Sequence, residues 1–369
     1  MFVTRKERTT FLRKQVEDEW NTKFWTFIEE NDDKPWNWVY LSRNPNITID
    51  MVQSYPDKPW CGIGLSQNKN ITIDIVLAHP NKPWRWDLLS TNPNITFDIV
   101  HTHPDKEWDW YWLSSNPNIT FDNVLAHPDK SWDWQGLSRN PKITFDNVLA
   151  YPDKEWNWSL LSSNPNITFD NVLAHPHKEW SWWCLSQHSN ITFDIVLAHP
   201  DKPWDWHSLS INPNITLDIV LDHLDKSWNW SYLSGNPNIT IEHVLAHPNK
   251  PWDCKLWDWS WLSRNPNITF DIVQSYPNKP WDWDNLSYNP NINLDFVRAH
   301  LDKPWDWRGL SQNTFIKDKQ QFIEKRYNEY LSAYRIQQCW NRAISIPTNP
   351  ICKRKQKRDY EKCTGRLFC

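Results

Sequence analysis

NITFDIVLAHPDKPWDW, residues Asn190 to Trp206, recurs in close copies 24 residues to either side, and that period decides the fold. A period of this size marks a solenoid, in which each unit is too small to bury its own apolar face and does so against its neighbours. With the first Trp of each copy taken as position 1, the units begin at Trp36, Trp60, Trp84, Trp108, Trp132, Trp156, Trp180, Trp204, Trp228, Trp257, Trp281 and Trp305. The step is 24 throughout except between Trp228 and Trp257, where it is 29 because WDCKL (Trp252 to Leu256) is inserted after Pro251. The consensus is WDWxxLSxNPNITFDIVLAHPDKP.

Within a unit, Thr at position 13 before apolar and acidic residues predicts a helix start, with Thr as N-cap and the carboxylate of Asp74, Asp98 or Asp194 complementing the helix dipole. Phe or Ile at position 14, Val at 17 and Leu at 18 then fall on one side. The helix must end near the His-Pro pair, because a residue before proline is pushed out of helical geometry. A second short segment follows, α or 3-10, primed by Asp-Lys-Pro, with Trp at positions 1 and 3 packing against Leu at 6 and Ser-x-Asn-Pro-Asn closing it as a turn. Helices this short are unstable alone. The indoles, each burying roughly 150–250 Å², supply the apolar area they lack. The expected fold is all-α: a solenoid of short helix pairs, drawn out as a superhelical rod or arc with helical caps.

NPNITFDIVLAHPD followed by WDWxxLSxNPNIT resembles the leucine-rich repeat variant. That resemblance implies alternating α and 3-10 helices in a right-handed superhelix. The Trp-laden wording is closer still to tandem-repeat proteins of Mimivirus-like giant viruses, over about 29–313. It implies a location in the host cytoplasm or the virion.

The ends differ from the array. Residues 1–30 predict an N-terminal capping helix with Trp20, Trp25, Phe27 and Ile28. The solenoid spans 31–313, and 314–343 predict a C-terminal capping helix with Phe322, Tyr327, Leu331, Tyr334 and Ile336 on its apolar side. Residues 344–369 form a basic tail carrying Lys353, Arg354, Lys355, Lys357 and Arg358. From Phe315 onward there are 13 Lys plus Arg against 5 Asp plus Glu, a net +8; with −4 for the whole chain, residues 1–314 carry −12. An acidic array disfavours wholesale nucleic-acid binding, which needs a basic face; nucleic acid or nuclear import is read onto the tail alone. No apolar run has the length of a signal peptide or membrane span, and the 7 cysteines match no disulfide or zinc framework. An intracellular protein with reduced thiols is expected.

No nucleophile and base travel together, and there is no phosphate-binding loop, so no enzyme, cofactor or metal is expected. One His per unit (His79, His103, His127, His175, His199, His223, His247, His300) reads as packing or capping, since stacked helices about 10 Å apart cannot share a zinc ion. Asn-Ile-Thr, though a glycosylation sequon, is accounted for by the turn and N-cap. Lys at position 23 predicts a row of ion pairs with the acid at 15, its stem lying on an indole.

Variation between copies carries the functional expectation. Leu at position 6 and Ser at 7 never change, whereas positions 4 and 8, which share a helix face, are mixed. Together with neighbouring aromatics they predict a partner-binding stripe through Arg43, Tyr111, Trp112, Arg139, Trp183, His207, Tyr232, Trp261, Arg264, Tyr288 and Arg308. The expected function is a non-enzymatic scaffold for an unidentified protein partner, host or viral. The alternatives are a self-associating structural component of a virion or virus factory, and targeting through the tail.

Overall fold

The computed structural model describes residues 5–246, 257–345, 350, 351, 353 and 354. The inserted Trp252–Leu256, His247 and most of the tail lie outside them. Among the described residues there are 25 helices and no strand, so the all-α repeat solenoid stands. They form two compact units, a repeat body over 25–316 and a helical pair made of the remaining two ends.

Units 1 to 11 each contribute two α-helices of about six residues or fewer. The first covers positions 3–8, as in Trp206–Ile211, and the second positions 14–19, as in Phe193–Ala198. The residue at position 2 begins the first helix: Asp205 accepts the N–H of Ser208 at 2.7 Å, and Asp, Asn or Ser does the same in most units. Thr at position 13 begins the second, and in three units Asn at 16 returns the bond to the Thr N–H as a capping box. The first helix therefore starts two positions later than Asp-Lys-Pro suggested, and it is α rather than 3-10.

Leu at position 6 is buried in every unit, Ile at 12 and Val at 17 in units 1 to 11, and Trp at position 1 in most. Leu at position 18 is not: Leu125, Leu149, Leu173 and Leu197 are 36–47% exposed. A six-residue helix has one covered side, which positions 14 and 17 take; position 18 lies about 100° beyond 17 and faces out.

Neighbouring units are joined by three side chains. The serine hydroxyl at position 7 accepts the N–H of residue 2 in the next unit, as Ser186 does from Asp205 at 3.0 Å. The buried asparagine amide at position 9 donates to the carbonyls of positions 7 and 9 in the unit before, as Asn116 does to Ser90 and Asn92 at 2.9 and 3.2 Å. The asparagine at position 11 donates to carbonyls 10 and 12 of that unit, as Asn70 does to Pro45 and Ile47 at 2.8 and 3.0 Å. The insertion leaves its joint intact, since Asp258 still bonds Ser234 at 2.9 Å. In unit 7, His188 replaces the asparagine at position 9. Its Nε2 faces the Asn164 carbonyl at 3.1 Å and its Nδ1 accepts the Asn190 N–H at 3.2 Å.

The same joint connects unit 12 to unit 1. Asn37 N–H bonds Ser311 Oγ at 2.9 Å, Asn44 donates to the carbonyls of Ser311 and Asn313 at 3.0 Å, and Asn46 donates to Thr314. The expected rod or arc is thus corrected: the repeat body is a closed circuit of twelve joints. What closes it is a composite unit. Unit 12 has a first helix, Trp307–Gln312, but no second of its own. The end of the N-terminal helix (Arg5–Glu30) fills that place. Trp36 Nε1 bonds the Asn31 carbonyl at 2.8 Å, as Trp60 Nε1 bonds that of Tyr55, and Trp25 stacks on Tyr55 and Trp60 as Phe97 does on His127 and Trp132. On the other side, Arg298 of unit 11 pairs with Glu30 at 3.0 Å.

Backbone approach is closest between successive first helices, including the first of unit 1 and that of unit 12. Elements that approach closest in a closed circuit lie on its inner circumference. Rings span the wider outer spacing: Phe169 reaches His199 at 5.1 Å and Trp204 at 5.5 Å between centroids.

In the helical pair, 5–24 lie against the C-terminal helix, Ile316–Ser345. Trp20 packs on Phe322 at 5.5 Å, Arg326 pairs with Glu19 at 3.0 Å, and Gln15 donates to Tyr330 at 2.9 Å. The two expected caps therefore pack on each other. Ile336, placed on the apolar side by its spacing, is 71% exposed.

Asn44→Ala at the closing joint should cost as much as Asn116→Ala inside the array, about 1–3 kcal/mol each for the stranded buried carbonyls. Denaturant melts in which Asn44→Ala is silent and Asn116→Ala is not would show an open array. His188→Asn, which restores the two-carbonyl bond, should raise the melting temperature.

Candidate functional site

The variable positions lie on the exposed side of the first helices, facing away from the second helices and so along the inner wall. Arg43, Tyr111, Arg139, Trp183, His207, Trp261, Arg264 and Arg308 are exposed, and Trp112, Tyr232 and Tyr288 half-buried. Trp183 is 59% exposed.

Trp112, Tyr232 and Trp261 occupy position 5, which abuts the preceding first helix. Where position 5 is Gly, the helices close up: a Cβ on Gly136 would lie 2.6 Å from the Tyr111 carbonyl oxygen. Where it is aromatic, the ring spills over the neighbour onto the wall. Trp261 does so across Gly235, where a Cβ would fall 2.8 Å from the indole.

These side chains connect over half of the wall. His207 meets Tyr232 at 6.2 Å and Tyr232 meets Trp261 at 5.2 Å between centroids. Arg264 lies over the Tyr288 ring at 5.2 Å, and Arg308 lies over Tyr40 at 5.3 Å while donating to its hydroxyl at 2.9 Å. A cavity of about 240 Å³ opens among Ser260, Trp261, Arg264 and Asn285. Arg43, Arg139 and Trp183 stand apart from this run, as does the Tyr111–Trp112 pair, whose rings meet each other at 5.0 Å.

Electrostatics concentrate in units 11 and 12. Partial desolvation, and then the carboxylates of Asp282 and Asp306, push the Asp284 carboxyl up. Burial, followed by its hydrogen bond to Asp306, pushes the Tyr288 hydroxyl up.

Other residues singled out by sequence take structural parts. His at position 20 caps the second helix, accepts the indole N–H of the Trp that opens the next unit on its carbonyl, and lies against the Phe at position 14 of the preceding unit, as His175 does against Phe145. No group of three or more His, Cys, Asp or Glu among the described residues could hold a metal ion. Lys at position 23 does lie over the Trp ring at position 3, at 4.7 Å for Lys178 on Trp158. Its acid is the adjacent Asp at 22 rather than residue 15: Lys106 pairs with Asp105 at 2.8 Å and Lys202 with Asp201 at 2.9 Å. These exposed pairs hold their carboxyls below the ordinary range, chiefly through the Lys hydrogen bond.

What sequence reasoning missed is Tyr40, which joins the run only through the closed joint, and the row of exposed leucines outside. The signal for Tyr40 was present, since it is an aromatic at position 5. Of the tail, Lys353 and Arg354 are exposed, and Lys355, Lys357 and Arg358 lie outside the described residues. No helix among the described residues is long and apolar enough to cross a membrane. Comparison with protein-family models, with curated proteins and with solved structures gives no match.

Asp284→Asn should raise the melting temperature near neutral pH. A carboxyl whose folded pKa lies above its unfolded value destabilises the fold once pH exceeds the ordinary carboxylate range, and contributes nothing below it, where it is protonated in both states. The gain should therefore vanish as melts are taken below about pH 4; a gain independent of pH would remove the electrostatic account.

Proposed function

We propose that the repeat body is a non-enzymatic scaffold that holds a protein partner against its inner wall. The observation that carries this reading is the division of labour within the repeat. Leu at position 6 and Ser at 7 are constant, Asn at 9 nearly so, and all three are buried in the joints, while variation gathers at 4, 5 and 8, where aromatic and Arg side chains face outward from the wall. Trp, Tyr and Arg are the residue types that most often carry binding energy at interfaces. A wall under no selection would be expected to drift towards small polar residues; this one places Trp183, Trp261 and Tyr111 in the open.

A second reading, self-association as a structural component, draws on the outer row of leucines. Four consecutive units present Leu125, Leu149, Leu173 and Leu197, an exposed apolar row of the kind that marks contact surfaces. Association through the ends of the array loses its basis, because those ends are joined.

With the intact chain as bait in a lysate, a specific partner should be retained by the unaltered protein and lost from a Trp183→Ala, Trp261→Ala, Tyr288→Ala variant that melts normally. Retention by the variant would remove the wall from consideration. Concentration-dependent sedimentation abolished by Leu149→Glu with Leu173→Glu would instead support self-association.

A further inference from the structure

We propose that the C-terminal end of the helix Ile316–Ser345 lies on an anionic lipid surface, with Ile336 and Trp340 entering the apolar boundary and the surrounding Lys and Arg meeting the headgroup phosphates. This helix belongs to the helical pair and not to the repeat body, so the site is separate from the inner wall.

A packed face of the helix continues beyond its packing. Trp20 meets Phe322 at 5.5 Å, and Glu19 bonds both Arg326 and Tyr330, so residues 322, 326 and 330 mark the side that the N-terminal helix covers. Eighteen residues make about five turns of ~3.6, which places Trp340 on the line of Phe322 and Ile336 one turn before it. There the face is open: Ile336 is 71% and Trp340 43% exposed.

Charge gathers at the same end. Arg335 and Arg342 stand exposed on the opposite side of these turns. In sequence, residues 330–358 contain seven Lys and Arg, from Arg335 to Arg358, and no Asp or Glu. Lys353 and Arg354 among them are exposed as well. A run of about 4–8 cations on or beside an amphipathic helix is the composition that an anionic leaflet attracts.

The two features together select the class of partner. A nucleic-acid backbone would use the cations, and a base could stack on Trp340, but the aliphatic Ile336 offers it neither charge nor a ring face. A bilayer uses all three. The aliphatic side chain enters the acyl boundary, the indole settles at headgroup level, and the cations of the polar face reach the phosphates on their flexible stems. The helix would lie on such a surface and not cross it, since no helix among the described residues is long and apolar enough to span a membrane.

The test is flotation of the full chain with vesicles of phosphatidylcholine alone or with about 30% phosphatidylserine added. Binding to the anionic vesicles should be saturable, at least about tenfold tighter than to phosphatidylcholine, and lost at about 1 M salt. Ile336→Ala with Trp340→Ala should weaken it about tenfold, and Lys353→Gln with Arg354→Gln should weaken it too. Circular dichroism and thermal melts matching the parent would establish that both variants fold. Absence of binding, equal affinity for the two kinds of vesicle, or indifference to the Ile336→Ala, Trp340→Ala change would overturn the proposal. A single-stranded oligonucleotide bound more tightly than the vesicles, and equally by the parent and that variant, would assign the cations to nucleic acid and overturn it likewise.

Discussion

The asparagine amide at position 9 holds the architecture together. It sits without access to water between two units, and its two N–H groups meet two carbonyls of the unit before, so that neither the amide nor those carbonyls are left buried and unpaired. Each repeat brings only two helices of about six residues, far below the length at which a helix persists alone. The joint therefore decides whether the helices exist at all. The serine at position 7 adds a bond in the same interface, and both residues satisfy backbone groups at helix ends that would otherwise be orphaned. The histidine that stands in for this asparagine in unit 7, His188, shows how narrow the requirement is: a ring with one donor and one acceptor fits only in the neutral tautomer that presents Nε2–H to the carbonyl.

Tryptophan does a different job from asparagine. The pair formed by the third-position Trp of one unit and the first-position Trp of the next stands edge to face, at 5.0 Å in Trp86–Trp108 and 4.8 Å in Trp307–Trp36. The first-position indole also donates its N–H to a helix-terminal carbonyl, as Trp108 does to His103, so a large apolar body is buried without stranding its one polar atom. Unit 2 has Gly62 at position 3 and lacks that pair, yet its joint keeps the Ser66 and Asn92 bonds. Indoles provide area, and amides and hydroxyls provide register.

The helix pair, its N-caps and most of the core were legible in one copy of the repeat, because Thr at position 13, Val at 17 and the His-Pro stop act within a few residues. Constancy of Leu at position 6 and Ser at 7 was legible too, but its reason was not, since the serine's partner lies in another unit and periodicity carries no information on how units are registered. Closure was written at the two ends. Trp25, Ile28 and Asn31 stand where positions 14, 17 and 20 of a second helix belong, ahead of the first complete unit, and the last unit stops after its first helix. Two half-units that sum to one are the mark of a circuit, and reading each as a cap concealed it. At the candidate site the exposed faces of positions 4 and 8 followed from helical spacing. The spill of position 5 across a neighbouring glycine did not, because it depends on the distance between helices.

A closed circuit of like joints has no terminus from which to unravel. An open solenoid loses an end repeat by breaking one interface, so it frays, and its outer units exchange amide hydrogens far sooner than its middle. Here the release of any unit breaks two interfaces at once, and the unit spliced from both chain ends is held as its neighbours are. Protection should be level around the body, and the first opening should be a large, cooperative event. Assembly carries the reverse cost: the segment that completes the last unit is synthesised ahead of the array, and it stays without its full complement of neighbours until nearly the whole array has followed.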